Sequence, residues 1–143
     1  MVVDLLEVSQ APVEPGPDVG LIVTGGPTHA FSMSRTSTRA DAVNRGADHG
    51  AADLGLREWL DRLPAGHHSQ RVATFDTRVD NVRHLPGSAA EAAATVAHRH
   101  GYPRAEHVES FYVDDIDGPL LTGELDRAAA WGRQIATDIV PER

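Results

Sequence analysis

Cysteine and lysine are both absent from this sequence of 143 residues. Without cysteine the chain can form no disulfide and offers no thiol nucleophile or thiolate ligand for a metal. Without lysine it cannot form a Schiff base or supply the lysine of a Walker phosphate loop. These absences exclude several classes of enzyme and cofactor site, and arginine alone carries the 13 basic charges.

Long apolar runs and an excess of positive charge are also missing. No apolar stretch approaches the ~18 residues that span a bilayer, and the N-terminus has no basic region followed by an apolar core. We therefore expect no membrane segment and a cytoplasmic location. The net charge of −8 argues against nucleic-acid binding. It suits a basic protein partner, and it equally suits plain solubility.

Strand and helix signals alternate along the chain. Short apolar, β-branched segments predict strands at Val2–Val8, Leu21–Thr24, Arg71–Phe75 and Glu109–Val113. A short helix is predicted near Thr38–Arg45. This alternation favours a parallel sheet with right-handed crossovers, and we predict a single α/β domain over residues 1–143, built as a three-layer sandwich.

Three further helices follow from spacing and end signals. Apolar residues recur at helical spacing from Leu56 to Leu63, before Pro64. Ser88 and Glu91 form a capping box that opens an alanine-rich helix, and Gly101 ends it. The last helix carries an apolar stripe: Leu125, Ala128, Ala129, Gly132, Ile135, Ala136 and Ile139. Gly132 within this stripe predicts a close approach of the helix to the sheet.

The segment from Val19 to Phe31 is the most informative part of the chain. A β-branched run passes into Gly25, Gly26 and Pro27, and then into Thr28, His29 and Phe31. Open α/β sheets bind ligands just beyond the carboxyl ends of their strands, and glycine lets backbone approach a flat ligand. The alternative interpretation is a glycine turn that leaves a buried strand. Spacing alone does not separate the two.

Other polar groups have plainer explanations. Asp76, Thr77 and Arg78 follow the third strand as a second candidate loop, or as a solvated turn in which Arg78 pairs with a carboxylate. The eight histidines contain no metal-binding spacing, so we interpret them as surface residues and predict no metal site. Ser88 lacks the G-x-S-x-G context of a nucleophile. Asp114, Asp115 and Asp117 lack the EF-hand spacing and predict an acidic turn.

Several segments together resemble the flavodoxin-like family, specifically its small bacterial branch. They are G-G-P-T-H-A-F at 25–31, F-D-T-R-V at 75–79, L-P-G-S-A-A at 85–90, E-S-F-Y-V at 109–113 and G-P-L-L-T-G-E-L-D-R-A-A-A-W-G at 118–132. They occur in the family's order and cover nearly the whole chain. The resemblance implies a five-stranded parallel sheet of order 2-1-3-4-5 that binds FMN for electron transfer with a redox protein partner.

The resemblance also implies which residues contact the cofactor. The FMN-binding residues would be Gly25, Gly26, Pro27, Thr28, His29, Phe31, Asp76, Thr77 and Arg78. The glycine backbone would meet the N5 edge of the flavin, and His29 or Phe31 would lie against the ring. No catalytic acid or base is expected, because the cofactor carries the chemistry.

The sequence departs from the family at its beginning. Met1 falls where the second strand should start, so the first strand, its phosphate loop and the first helix have no counterpart. We therefore expect an N-terminally truncated domain whose flavin binding is weakened, since a helix N-terminus supplies the phosphate site. A misassigned start, a fragment, or a strand supplied by a partner in an oligomer would each explain this. The alternative function is a flavin-free interaction domain or an inactive fragment.

Overall fold

The computed structural model describes residues 1–29, 32–33, 55–115 and 118–139. The strands are β1 (Leu21–His29), β2 (Ser32–Met33), β3 (Arg71–Val79) and β4 (His107–Val113). The helices are α1 (Leu56–Asp61), α2 (Ala89–Arg99) and α3 (Glu124–Ile139). Phe31, Asp117 and the helix predicted at Thr38–Arg45 lie outside the described residues.

The strands form one sheet in the order β2-β1-β3-β4. β1 pairs with β3 and β3 pairs with β4, both in parallel, whereas β2 is a two-residue antiparallel addition to the end of β1. Helices connect the parallel strands, as crossover connections require. The prediction of an α/β fold with a parallel sheet is therefore confirmed.

The main apolar core lies between helices α1 and α2 and one face of the sheet. Its buried members are Trp59, Leu60, Leu63, Val72, Ala89, Ala93, Ala97 and Tyr102. The alanines of α2 let that helix lie close to the sheet. Gly101 ends α2 with a φ of 97°, a region that glycine adopts freely. A Cβ at this position would lie 1.4 Å from the carbonyl oxygen of Gly66.

A second cluster packs on the opposite face of β3 and β4. Phe75, Phe111 and Trp131 of α3 form a triangle of edge-to-face rings, with centroids 5.8 to 6.0 Å apart. Such pairs add about 0.5–1.5 kcal/mol each beyond the area they bury. The aromatic triangle therefore attaches α3 to the sheet.

Strand β1 is longer than the sequence indicates. It runs through Gly25, Gly26, Pro27 and Thr28 to His29, so the segment predicted as a loop is extended and paired with β3. The prediction ended the strand at the glycines, because glycine and proline are usually turn residues. Proline is tolerated where its missing N–H faces away from a ladder.

Pro27 occupies such a position. The Gly20 carbonyl accepts a hydrogen bond from Arg71 N at 3.0 Å. Backbone groups alternate in direction along a strand, so Gly26 and Thr28 bond towards β3 and Pro27 faces the other side. Strand β3 is also longer than predicted. It continues through Asp76, Thr77 and Arg78, which were predicted to form a loop or a turn, because this part of the strand pairs with its neighbours β1 and β4.

The prediction of a strand at Val2–Val8 is wrong. Val8–Gln10 is a turn of 3-10 helix, and the residues before it belong to no helix or strand and are exposed, with Val2 92% and Leu5 95% accessible. Strand-type residues form a strand only where another strand offers its edge. None of the described strands pairs with this segment.

The last helix forms where the sequence predicts it, but its packing differs. Of the apolar stripe only Ile135 is buried, and Leu125 is 73% accessible. A Cβ on Gly132 would meet no atom within 4 Å, so the predicted close approach at this glycine is wrong. Trp131 makes the main contact instead, since its large ring reaches Phe75 and Phe111.

Candidate functional site

The parallel register brings the two candidate segments together at one end of the sheet. Gly26 lies opposite Asp76 and Pro27 lies opposite Thr77, close to the carboxyl ends of β1 and β3. This is the end at which ligands bind in open α/β sheets. Two segments that lie about fifty residues apart in the sequence thus share one edge.

Two of the predicted ligand residues hold the N-terminus of helix α2. The hydroxyl of Thr28 accepts from Ala89 N at 3.0 Å, and the carboxylate of Asp76 accepts from Ala90 N at 2.9 Å. Ser88 Oγ completes the set by accepting from Glu91 N at 3.1 Å, as the capping box predicts. A helix leaves its first backbone N–H groups without partners, and here side chains satisfy them.

Asp76 is therefore enclosed. Its residue is fully buried, and Thr74 beside it on the same face donates to the carbonyl of Ala90 at 2.8 Å. A carboxylate at a helix N-terminus also gains from the helix dipole. The bond to the N-terminus of α2 explains why an aspartate is buried here. Because Asp76 is fully buried, its side chain is not accessible to a ligand.

Gly25 has no room for a side chain. A Cβ at this position would lie 2.0 Å from Cζ of Phe75. The aromatic triangle therefore presses one ring onto the backbone of β1. The aromatic ring that lies against this glycine is the protein's own Phe75.

The remaining predicted residues differ in accessibility. Pro27 is exposed, and Gly26 and Thr77 are half-buried. Arg78 is 9% accessible and donates to the carbonyl of Leu85 at 2.9 Å. His29 is the last residue of β1. The accessible part of the candidate site thus consists of Gly25 and Pro27, which are exposed, and Gly26, Thr28 and Thr77, which are half-buried.

A cluster around Arg127 lies next to this site, and we did not predict it. Glu124 bonds Arg127 twice, through Oε1 at 2.9 Å and Oε2 at 2.6 Å, and its Oε2 also accepts from Tyr112 N at 2.8 Å. Arg127 also donates to the carbonyl of Ser110 and lies 3.3 Å from Glu109. The i, i+3 spacing of Glu124 and Arg127 on a helix was the available signal.

The contacts of this cluster shift its pKa values in opposite directions. The hydrogen bond from Arg127 is the main cause that lowers the pKa of Glu124, and partial burial opposes it. The same bond raises the pKa of Arg127. The guanidinium of Arg83 also stacks 3.8 Å from the ring centre of Tyr112. The cluster ties α3 to the carboxyl end of β4, and its charges satisfy one another.

The described residues do not supply a phosphate site at the N-terminus of α2. At the same end of the sheet, Pro27 is exposed and Thr77 is half-buried. A phosphate needs free N–H donors or an unpaired cation. The first amides of α2 are already bonded by Thr28 and Asp76. Within the described ranges, the N-terminus of α2 therefore offers no free donors to a phosphate.

Two kinds of feature are absent from the described residues. No group of three histidine, aspartate or glutamate side chains comes together there as a metal site. No helix in that part of the chain is long and apolar enough to span a membrane.

The comparisons with known proteins gave no match. No family model, curated protein or solved structure is significantly similar to the chain. The case for its function therefore depends on the residues and their geometry.

Proposed function

We propose that this chain is a cytoplasmic flavodoxin-like module that binds FMN at the carboxyl ends of β1 and β3 for electron transfer. The supporting observation is the register that places Pro27 beside Thr77, where the resemblance puts two ring-contacting segments. The proposal includes a three-layer arrangement of the fold. When bound, FMN supplies the electron-transfer chemistry, and the protein contributes position and electrostatics without an acid or base.

The proposed binding is weak, because α2 offers no free donors to the phosphate. Thr28 and Asp76 use the first amides of α2, and Asp76 places a negative charge where a phosphate would need positive potential. The net charge of −8 adds to this repulsion, while favouring a redox partner with a basic surface.

The test is a titration of FMN against the purified chain, followed by the change in flavin absorbance and fluorescence. We expect saturable binding with a Kd weaker than micromolar, which corresponds to less than about 8 kcal/mol. No binding at millimolar flavin would overturn the proposal. A micromolar or tighter Kd would contradict the assignment of weak binding.

A matched pair of variants locates the binding. Pro27→Asp places a carboxylate at the proposed ring surface, and Pro103→Asp places one at an exposed proline beyond the accessible part of that site. We expect the first to weaken FMN binding and the second to leave it unchanged. Equal effects of the two variants on the Kd for FMN would show that FMN binds elsewhere on the protein.

A flavin-free interaction domain is the second candidate. It is favoured by a different observation, the open edge of β1, where Val23 is 45% accessible. In that case the flavin titration gives no signal, and the surface of β1 carries the function through contact with a protein.

A further inference from the structure

Among the described residues, nothing pairs with the outer edge of strand β1 over most of its length, and we call this its open edge. Because the Gly20 carbonyl bonds Arg71 N, the N–H and C=O groups of Leu21, Val23 and Gly25 face away from β3. β2 covers this edge only at Thr28 and His29. Elsewhere on the edge, no described strand pairs with these groups.

The open edge lacks the usual protection. Natural edge strands carry charged side chains, bulges or prolines that discourage further pairing. Leu21–Gly25 has no charged residue, and Pro27 comes only after it. This stretch is therefore suited to accept another strand.

The chain also carries an unpaired segment with the composition of a strand. Val2–Glu7 reads V-V-D-L-L-E, and its apolar side chains are between 52% and 95% accessible. Extended, it spans about 20 Å, which is enough to cover Leu21–Gly25 at about 17 Å. An apolar segment exposed over this length is unfavourable in water and gains by covering an edge.

The residues that directly follow this segment are packed against the domain. Val8 and Ala11 pack against the main core, and Trp59 Nε1 donates to the carbonyl of Pro12 at 3.1 Å. From that anchor the segment extends into solvent instead of returning to its own β1 edge. The edge and the segment are thus both available to a second copy.

We propose that two copies exchange their N-terminal segments, so that Val2–Glu7 of each copy pairs with the open edge of β1 on the other. The exchange gives a closed twofold dimer in which each copy both donates and accepts a strand. It extends each sheet by one strand and covers Val23. This inference is independent of flavin binding.

The first measurement is the molar mass by light scattering over a range of protein concentrations. We expect a dimer of twice the chain mass of 15.3 kDa that dissociates on dilution. A monomer at every concentration up to millimolar would overturn the proposal. A monomer would also result if the segment of each copy paired with the β1 edge of the same copy, and this outcome too would contradict the exchange.

Paired variants test each side of the contact. Val23→Lys charges the edge, and Val108→Lys places the same charge on β4 at a similar accessibility, 38% against 45%. Leu5→Asp charges the segment, and Leu125→Asp charges an exposed leucine of α3. Val23→Lys and Leu5→Asp should be monomeric, whereas the two controls remain dimeric. A dimer that survives either change, or is lost in the controls, would overturn the proposal.

Mixing the two monomeric variants separates strand exchange from simple edge-to-edge contact. The Val23→Lys copy retains a normal segment, and the Leu5→Asp copy retains a normal edge. The mixture should form a heterodimer held by one exchanged strand, with a higher Kd than the unmodified dimer. A mixture that stays monomeric contradicts the exchange. A far-UV circular dichroism spectrum like that of the unmodified protein would show that each of the four variants is folded.

Discussion

Replacing Gly25 with alanine should destabilise the protein, whereas the same change at Gly26 should not. A Cβ at Gly25 would lie 2.0 Å from Cζ and 2.3 Å from Cε1 of Phe75. At Gly26 the nearest atom would be Cδ2 of Leu56, at 3.9 Å. A methyl group therefore has no space at Gly25, whereas it fits at the adjacent Gly26.

The loss of stability expected for Gly25→Ala depends on the ring contacts that Phe75 would lose if it moved. Its ring is held by Phe111 at 6.0 Å and by Trp131 at 5.8 Å, so it cannot move without loosening both contacts. Each such pair is worth about 0.5–1.5 kcal/mol. Overpacking a core costs about 1–3 kcal/mol. We expect Gly25→Ala to lower the free energy of unfolding by about 1–3 kcal/mol.

Urea unfolding of the two variants measures this difference, with the midpoint and slope followed by circular dichroism. Gly26→Ala should be neutral or stabilising by about 0.4–1 kcal/mol, because alanine restricts the unfolded chain. A double-mutant cycle with Phe75→Ala should remove most of the cost at Gly25. Equal stabilities for the two alanine variants would refute the packing of Phe75 on β1.

Two further predictions concern buried polar contacts. Asp76→Ala should lower the free energy of unfolding by about 1–3 kcal/mol, since it leaves an amide of α2 without its charged acceptor. Ser88→Ala should cost about 1 kcal/mol as a lost N-cap. Glu124→Gln should be less stable than the unmodified protein at neutral pH, and this deficit should shrink as the pH falls below 4.5.

The sign of the pH effect follows from the lowered pKa of Glu124. A carboxyl whose pKa is lower in the folded state stabilises the fold above its ordinary value of 4.5. That contribution is lost as the pH falls through the folded-state pKa. Urea unfolding of both proteins between pH 7 and the acid limit of folding, on the usual linkage analysis, measures it. A deficit that stays constant with pH would contradict the ion pair with Arg127. For Asp76, an alanine variant less affected than Ser88→Ala would contradict its role at α2.

The sequence predicted those elements whose signals are local. The cap at Ser88, the end of α2 at Gly101 and the cores of the three parallel strands depend on neighbouring residues. The N-terminal strand was wrong because pairing depends on a partner elsewhere. The ends of β1 and β3 were missed because glycine and aspartate tolerate a strand when tertiary contacts demand it.

The candidate site shows the same limit. The sequence brought Pro27 and Thr77 to one end of the sheet, because parallel strands share their carboxyl ends. It did not predict that Thr28 and Asp76 would bond α2, since these contacts span 61 and 14 residues of sequence. Thr28 and Asp76 were predicted to contact a ligand, but in the structure they hold the N-terminus of α2.

The most direct test of the proposed function compares FMN with riboflavin, which has the same ring and lacks the phosphate. If α2 offers no donors, the ring surface alone binds and the negative charges nearby repel the phosphate, riboflavin should bind at least as tightly as FMN. A single charge-assisted hydrogen bond to phosphate would favour FMN by about tenfold or more. A preference for FMN of about thirtyfold would contradict the account, because it requires a phosphate site.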